Sequence, residues 1–277
     1  MAEYPPPRIG TADAKGKPNA STPAVVLEHV SKSFGDHSVL RDISLTVEQN
    51  SIMVMLGPSG TGKSVLLRCL VGLLQPDSGR VCVFGEDVAA LDPQKPKDRK
   101  RLFDIRRRFG MLFQDGALFD DMTVAENVAF PMRLHTQMHR DEIAEKVRDR
   151  LARVGVAHAE NKYPAELSGG MRKRVAFARA IALDPDIVLC DEPSSGLDPV
   201  MSATLDELIL ELHRTLGMTF IIISHDTAEA RKVADTIGML AEGRLVTYGP
   251  AERVFAENHP ALNQFFTRAT QGPIKVV

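Results

Sequence analysis

Ile52-Met53-Val54-Met55-Leu56-Gly57-Pro58-Ser59-Gly60-Thr61-Gly62-Lys63-Ser64-Val65-Leu66-Leu67 joins an apolar run to a helical pattern through a glycine-rich turn. The run before Gly57 reads as a buried strand, and Val65 to Val71 as a helix leaving the turn. Between them, Gly57 to Ser64 satisfies G-x-x-x-x-G-K-[ST]. Phosphate binding requires such a strand–loop–helix unit. Backbone N–H groups of Gly57, Pro58's successor Ser59, Gly60, Thr61 and Gly62, with the positive helix end, surround an anion. Lys63 can reach the outer phosphates, and the Ser64 hydroxyl can ligate Mg²⁺. A glycine-rich turn without a ligand is the bland alternative.

The flanking pattern predicts an α/β fold, and the motif resembles that of the P-loop NTPases, which implies a RecA-like core. Val25-Val26-Leu27 and Ile43 to Val47 read as strands separated by a turn at Gly35-Asp36, and Pro76-Asp77-Ser78-Gly79 precedes a strand over Arg80 to Phe84. These form an N-terminal antiparallel β subdomain. Met53–Leu56, Met111–Phe113, Ile187–Cys190 and Phe220–Ile223 are the parallel-sheet candidates, with helical patterns between them. From about Asp115 to Leu167 no strand is convincing. Thr123 to His135 and Asp141 to Val154 read as helices, so residues 115–167 are expected to be an inserted helical subdomain. The expected organisation is a tail over 1–23, a nucleotide-binding domain over 24–250 and a C-terminal helical extension over 251–277.

Composition narrows the function classes. The chain has 277 residues, 44% hydrophobic, and a formal net charge of −2, which gives no general reason to expect nucleic-acid binding. Cys69, Cys82 and Cys190 lie in apolar segments without a C-x-x-C pair, as buried small hydrophobes do in a reducing compartment. No apolar run approaches the roughly 18–20 residues that span a bilayer. Met1 to Pro23 lacks the apolar segment of a signal peptide and reads as a disordered tail. Eight of the residues from Lys95 to Arg108 are basic, against Asp98 and Asp104. That segment is either a solvated helix or a face for anionic headgroups or an acidic partner.

Further along, Leu167-Ser168-Gly169-Gly170-Met171 stands shortly before the apolar strand Ile187-Val188-Leu189-Cys190, which ends in Asp191-Glu192. This order, together with the P-loop, resembles the ATP-binding-cassette (ABC) ATPases over roughly Val25 to Gly249. The resemblance implies a homodimer closed head to tail, with ATP between the P-loop of one copy and Ser168, Gly169 and Gly170 of the other. It implies that Asp191 positions Mg²⁺ through water and that Glu192 orients and deprotonates the attacking water. Pro193 to Asp198 matches the family's D-loop, which puts Asp198 at the dimer seam. By the same resemblance His225, after Ile221-Ile222-Ile223-Ser224, is the switch histidine. Gln114 is the Q-loop glutamine, contacting Mg²⁺ or water beside the transmembrane partner. Phe34 takes the adenine-stacking position, with an ordinary core Phe as the alternative.

Two stretches narrow the resemblance. Phe113 to Pro131, and Leu167 to Leu183 with Met171-Arg172-Lys173-Arg174, look like ATPases of Mce/Mla-type lipid transporters. Gln264-Phe265 and Gln271-Gly272-Pro273-Ile274 resemble that subgroup's tail more weakly. Ser194-Ser195-Gly196-Leu197 follows the general ABC pattern and departs from the FVGQ-like variant of some enterobacterial members. The resemblance implies a peripheral subunit on the cytoplasmic face of the inner membrane, beneath a multispanning permease with an Mce-domain partner. It leaves open a small STAS-domain regulator, and implies phospholipid or related cargo. An importer ATPase for a polar solute such as an amino acid is the alternative. Val254, Phe255, Leu262, Phe265 and Phe266 form two short apolar clusters that need a cover. That cover is either the chain's own core, or a dimer partner or regulator.

Overall fold

The computed structural model describes residues 22–257, 259–267 and 269–273. Residues 1–21 of the expected tail lie outside them, as does Ile274 of the tail motif. The first strands, β1 (Val25–Phe34) and β2 (His37–Val47), pair antiparallel, with Phe34 opposite His37. Gly35-Asp36 closes the hairpin, and Gly35 has φ +58°, which a two-residue hairpin turn needs and glycine adopts freely. With β4 (Ser78–Val83) and β5 (Glu86–Asp87) they form a sheet in the order β2-β1-β4-β5.

The second sheet carries the phosphate loop. β3 (Ile52–Leu56) is buried at every position and lies between β8 (Thr219–Ser224) and β9 (Thr236–Ala241), parallel to both. β7 (Ile187–Asp191) and β6 (Phe109–Leu112) extend one side in parallel, and β10 (Arg244–Pro250) adds an antiparallel edge. The order is β10-β9-β3-β8-β7-β6. The β9–β10 hairpin does not follow from the sequence reading. Its tip binds the first sheet: Arg41 donates its backbone N–H to Gly243 O at 2.7 Å, and a Cβ on Gly243 would lie 2.6 Å from Val39 O.

Helices cover both faces of the large sheet. On one side α1 (Lys63–Leu70) and α2 (Pro96–Arg106) share a core with the antiparallel sheet, including Leu27, Leu67, Met55 and Leu102. On the other, α3 (Val124–His135), α4 (Arg140–Arg153) and α5 (Gly169–Ala180) pack through Val128, Met132, Leu151 and Val175. The start of α3 is set by a reciprocal cap. The Thr123 hydroxyl accepts from Glu126 N at 3.2 Å, while the Glu126 carboxylate accepts from Thr123 N at 2.9 Å. Buried Asn127 then ties down the preceding loop. Its amide oxygen accepts from Phe119 N at 2.8 Å, and its amide nitrogen lies 3.1 Å from the carbonyls of Phe119, Met122 and Thr123.

All three cysteines are free and buried, and burial pushes the Cys69 thiol up to about 11, away from reactivity at neutral pH. The C-terminal helices α8 (Ala251–Ala256) and α9 (Pro260–Thr267) lie on the chain's own core. Val254 and Leu262 are fully buried, and Phe255 and Phe266 stand 5.4 Å apart, ring to ring. The guanidinium of Arg231 sits 4.0 Å from the Phe255 ring centroid. The apolar clusters thus have a cover within the chain, with Phe255, Phe265 and Phe266 only partly buried by it.

Candidate functional site

The site lies at the carboxyl ends of β3, β6, β7 and β8, where open parallel sheets place their ligands. Between β3 and α1, the loop turns through Gly57, Gly60 and Gly62 with φ of 151°, 79° and 101°. Two of these glycines are sterically required. A Cβ on Gly57 would lie 2.1 Å from Leu240 O, and one on Gly62 2.9 Å from Val39 O. Gly60 meets nothing within 4 Å, so only its backbone conformation restricts it. The Thr61 hydroxyl donates to Pro58 O at 2.9 Å and closes the turn.

Lys63 begins α1 and is only 5% exposed. Its Nζ donates to Gly57 O at 2.6 Å and Pro58 O at 2.7 Å, which keeps the ammonium at the mouth of the loop. Burial lowers its affinity for a proton, and the negative charges of Glu192 and Asp191 oppose that effect. Asp191 closes β7 close to the Ser64 hydroxyl, which favours the charged carboxylate. Burial raises the Asp191 pKa, and neighbouring Glu192 raises it further, against the pull of Lys63. An incompletely compensated carboxylate beside a hydroxyl is a donor set that fits Mg²⁺, which keeps several waters and takes the rest of its ligands from phosphates.

Glu192 has φ +48°, and its N–H donates to Ile223 O at 2.9 Å, which anchors the turn after β7 to β8. That turn presents the carboxylate towards the loop after β8, where His225 Nδ1 lies 3.3 Å from Glu192 Oε2. Gln114, after β6, donates its side-chain amide to Ser195 Oγ at 3.2 Å. The P-loop, Asp191, Glu192, His225 and Gln114 therefore converge within one chain.

Other candidates stand apart. Ser168 caps α5 by accepting from Met171 N at 3.3 Å, and a Cβ on Gly170 would lie 2.1 Å from Met201 Cε. Among the described residues no hydrogen bond joins Ser168, Gly169 or Gly170 to the P-loop. Asp198 caps α6 (Pro199–Leu216), accepting from Val200 N at 2.9 Å and Met201 N at 3.0 Å. Phe34 stands at the hairpin tip, 50% exposed, so a core role is excluded, and the Lys32 ammonium lies over its ring, 5.6 Å from the centroid.

Two buried charges behind the site escaped the sequence reading. Lys173, on α5, is 6% exposed and donates its ammonium to Gln114 O. Glu229, on α7 (Thr227–Val233), is 2% exposed. Burial pushes its carboxyl up to about 7, although the Ser224 and Ser194 hydroxyls pull it down. Those hydroxyls stand close without satisfying hydrogen-bond geometry at either carboxyl oxygen. The available signal was position: each charge lies on the core-facing side of its helix, beside Ala176 or Ala230.

Comparison with known proteins accords with this geometry. The ABC transporter family profile matches residues 40–195. MlaF of Escherichia coli K12, an intermembrane phospholipid transport system ATP-binding protein, is 41% identical over 250 residues, covering 90% of this chain and 91% of MlaF. The probable ribonucleotide transport ATP-binding protein mkl of Mycobacterium tuberculosis is 43% identical over 264 residues, covering 93% of this chain and 72% of mkl. Among solved structures, cbiO1 of Clostridium perfringens, part of the ABC transporter complex cbiONQ, superposes with a TM-score of 0.77 at 29% identity, covering 90% of this chain and 96% of cbiO1. The ATP-binding cassette MJ0796, solved as a post-hydrolysis dimer with ADP and Pi, gives 0.73 at 29% identity, covering 82% of this chain and 98% of that one. The converging phosphate loop and acidic strand end, and relatives that match along nearly the whole chain, lead to one conclusion: this protein belongs to the ABC transporter family and is an ATP-binding, ATP-hydrolysing subunit.

Proposed function

We propose that two copies of this chain close head to tail over Mg-ATP and drive a separate membrane permease that moves phospholipid. The division within the chain supports the composite site. One half of an ATP site converges at the P-loop, whereas Ser168, Gly169 and Gly170 keep their contacts within α5 and to α6. The helix N-terminus at Gly169 suits the γ-phosphate of ATP held by the other copy. The solved cassette described as a dimer with ADP and Pi supports the same arrangement.

In the proposed reaction, Lys63 exchanges its two carbonyl acceptors for β- and γ-phosphate oxygens, and Phe34 stacks on adenine. Water forms a bond to the γ-phosphorus, the bond to the bridging oxygen breaks, and ADP leaves with that oxygen. Glu192 accepts the water's proton, and His225, 3.3 Å away, orients the carboxylate and the γ-phosphate. Ser64 and, through water, Asp191 would hold Mg²⁺, and Gln114 would contact the ion or the water. Bound there, the ion would supply positive charge against the phosphates. Asp198 would meet the partner copy at the dimer seam.

No helix among the described residues is long and apolar enough to cross a membrane. The proposed setting is peripheral, at the cytoplasmic face of the inner membrane, with the permease and an Mce-domain protein as other chains. Exposed Leu73 offers an apolar contact for a permease. The observation that carries the phospholipid reading is coverage. The match spans 91% of MlaF, whereas mkl, named for ribonucleotides, leaves more than a quarter of its length unmatched.

Purification of the chain with its permease and reconstitution into vesicles test this reading. Transfer of a fluorescent phospholipid should require ATP and cease with Glu192→Gln. ATPase activity stimulated by ribonucleotides, with no lipid transfer, would overturn the cargo assignment.

A further inference from the structure

The basic segment that opens onto α2 divides into two halves. Four of its cations are committed within the chain. Lys95 pairs with Asp92 at 3.6 Å and Arg101 with Glu86 at 2.6 Å, while Arg106 donates to Val71 O and Gly72 O. Arg108 pairs with Asp186 at 2.8 Å and covers the Phe84 ring at 3.6 Å. The other four, Lys97, Arg99, Lys100 and Arg107, are exposed and make no ion pair among the described residues.

Helical periodicity gathers them. Lys100, Phe103 and Arg107 follow at i, i+3 and i+7 and share one stripe, with Arg99 on one flank and Lys97 and Asp104 on the other. Asp98, the other acid of the helix, lies near Arg101 at 3.9 Å, so Asp104 is the remaining negative charge on this face. Phe103 is 46% exposed amid the cations, and its ring meets His135 edge-on at 5.4 Å. Next to His135, Leu134 is 63% exposed. Cations around protruding aromatic and aliphatic side chains match the chemistry of a bilayer interface. There ammonium and guanidinium groups meet phosphates, and Phe and Leu enter the headgroup boundary. The rest of the chain does not share this charge, since its overall balance is −2.

We propose that this face of α2 docks on anionic phospholipid headgroups, holding the subunit against the bilayer beside its permease; the placement beside a permease rests on the proposed transporter role. The surface is separate from the nucleotide site: none of its four cations contacts a P-loop, Asp191, Glu192 or His225 side chain.

The test uses the full chain without permease, with vesicles of phosphatidylcholine alone or mixed with phosphatidylglycerol. Flotation should show binding to the mixed vesicles only, weakening as salt rises. Lys97→Glu/Lys100→Glu/Arg107→Glu should lower that binding by roughly a hundredfold, from the contribution of each basic residue near an anionic surface. Nucleotide binding by the variant should be unchanged, and should it misfold, the corresponding triple Gln variant serves instead. Equal binding to both vesicle types, or a triple variant that binds like the parent, overturns the proposal. Failure here with intact permease association would leave the transporter role standing. Vesicle binding without permease association would count against that role alone.

Discussion

Replacing Glu229 with Gln should reverse its effect on stability between pH 5 and pH 8. The carboxyl is buried behind the site, with Asp206 and Asp226 adding to the cost of its negative charge. Its pKa rises from 4.5 to about 7. A folded-state pKa above the unfolded one means that the folded chain binds the proton more tightly. The resulting stabilisation is complete below the unfolded pKa and disappears as pH rises through 7. A shift of this size corresponds to about 3 kcal/mol, most of it lost between pH 5 and 8. Glutamine has similar shape and carries no charge at either pH, but leaves an amide to satisfy at a cost of about 1–2 kcal/mol. Glu229→Gln should therefore be about 1–2 kcal/mol less stable than the parent at pH 5 and about 1–2 kcal/mol more stable at pH 8. Urea unfolding of both proteins at the two pH values measures this directly. Asp206, raised to about 6, titrates in both proteins, so the difference between them reports chiefly on Glu229. Parallel pH profiles for parent and variant would refute the reasoning.

Glu192→Gln should retain ATP binding but lower turnover by about 10²–10⁴-fold and accumulate an ATP-dependent dimer on gel filtration; comparable turnover would remove Glu192 from the proton-accepting role. Gly170→Asp should abolish hydrolysis while the chain stays folded by circular dichroism, because the obstructing Met201 Cε is the movable end of a side chain. Mixed with Lys63→Ala subunits, it should leave at most one intact site per heterodimer, and full activity of the mixture would contradict a composite site. Phe34→Ala should weaken ATP binding by about tenfold through lost stacking, read by titration with a fluorescent nucleotide, and triphosphate alone should bind parent and variant equally.

Phosphate chemistry made much of the site legible. A loop that wraps an anion needs glycines at particular backbone positions, and a lysine and hydroxyl at the start of the next helix. Gly57 and Gly62 also satisfy close approaches to Leu240 and Val39 that no local pattern announces. The β9–β10 hairpin escaped because a short apolar run such as Ile237 to Ala241 suits strand or helix, and Glu242-Gly243 is a weak hairpin signal. Lys173 escaped for another reason. It stands between Arg172 and Arg174, and only helix packing places one of the three ammonium or guanidinium groups under the Gln114 backbone. The C-terminal apolar spacing was visible, but its cover around Arg231 depends on a helix some 25 residues upstream.

The close approach of Gly57 to Leu240 also sets an order for synthesis. The loop and β3 leave the ribosome early, yet β8 and β9, their neighbours on either side, are encoded by residues 219–224 and 236–241. At ordinary translation rates, on the order of ten to forty seconds separate emergence of the two segments. During that interval β3 has two unpaired edges, and the loop lacks the carbonyl wall against which it closes. Nascent chains halted before residue 236 should not hold nucleotide and should expose a strand open to pairing with other chains. The nucleotide site is thus a late product of biosynthesis, although its defining motif is among the first parts made.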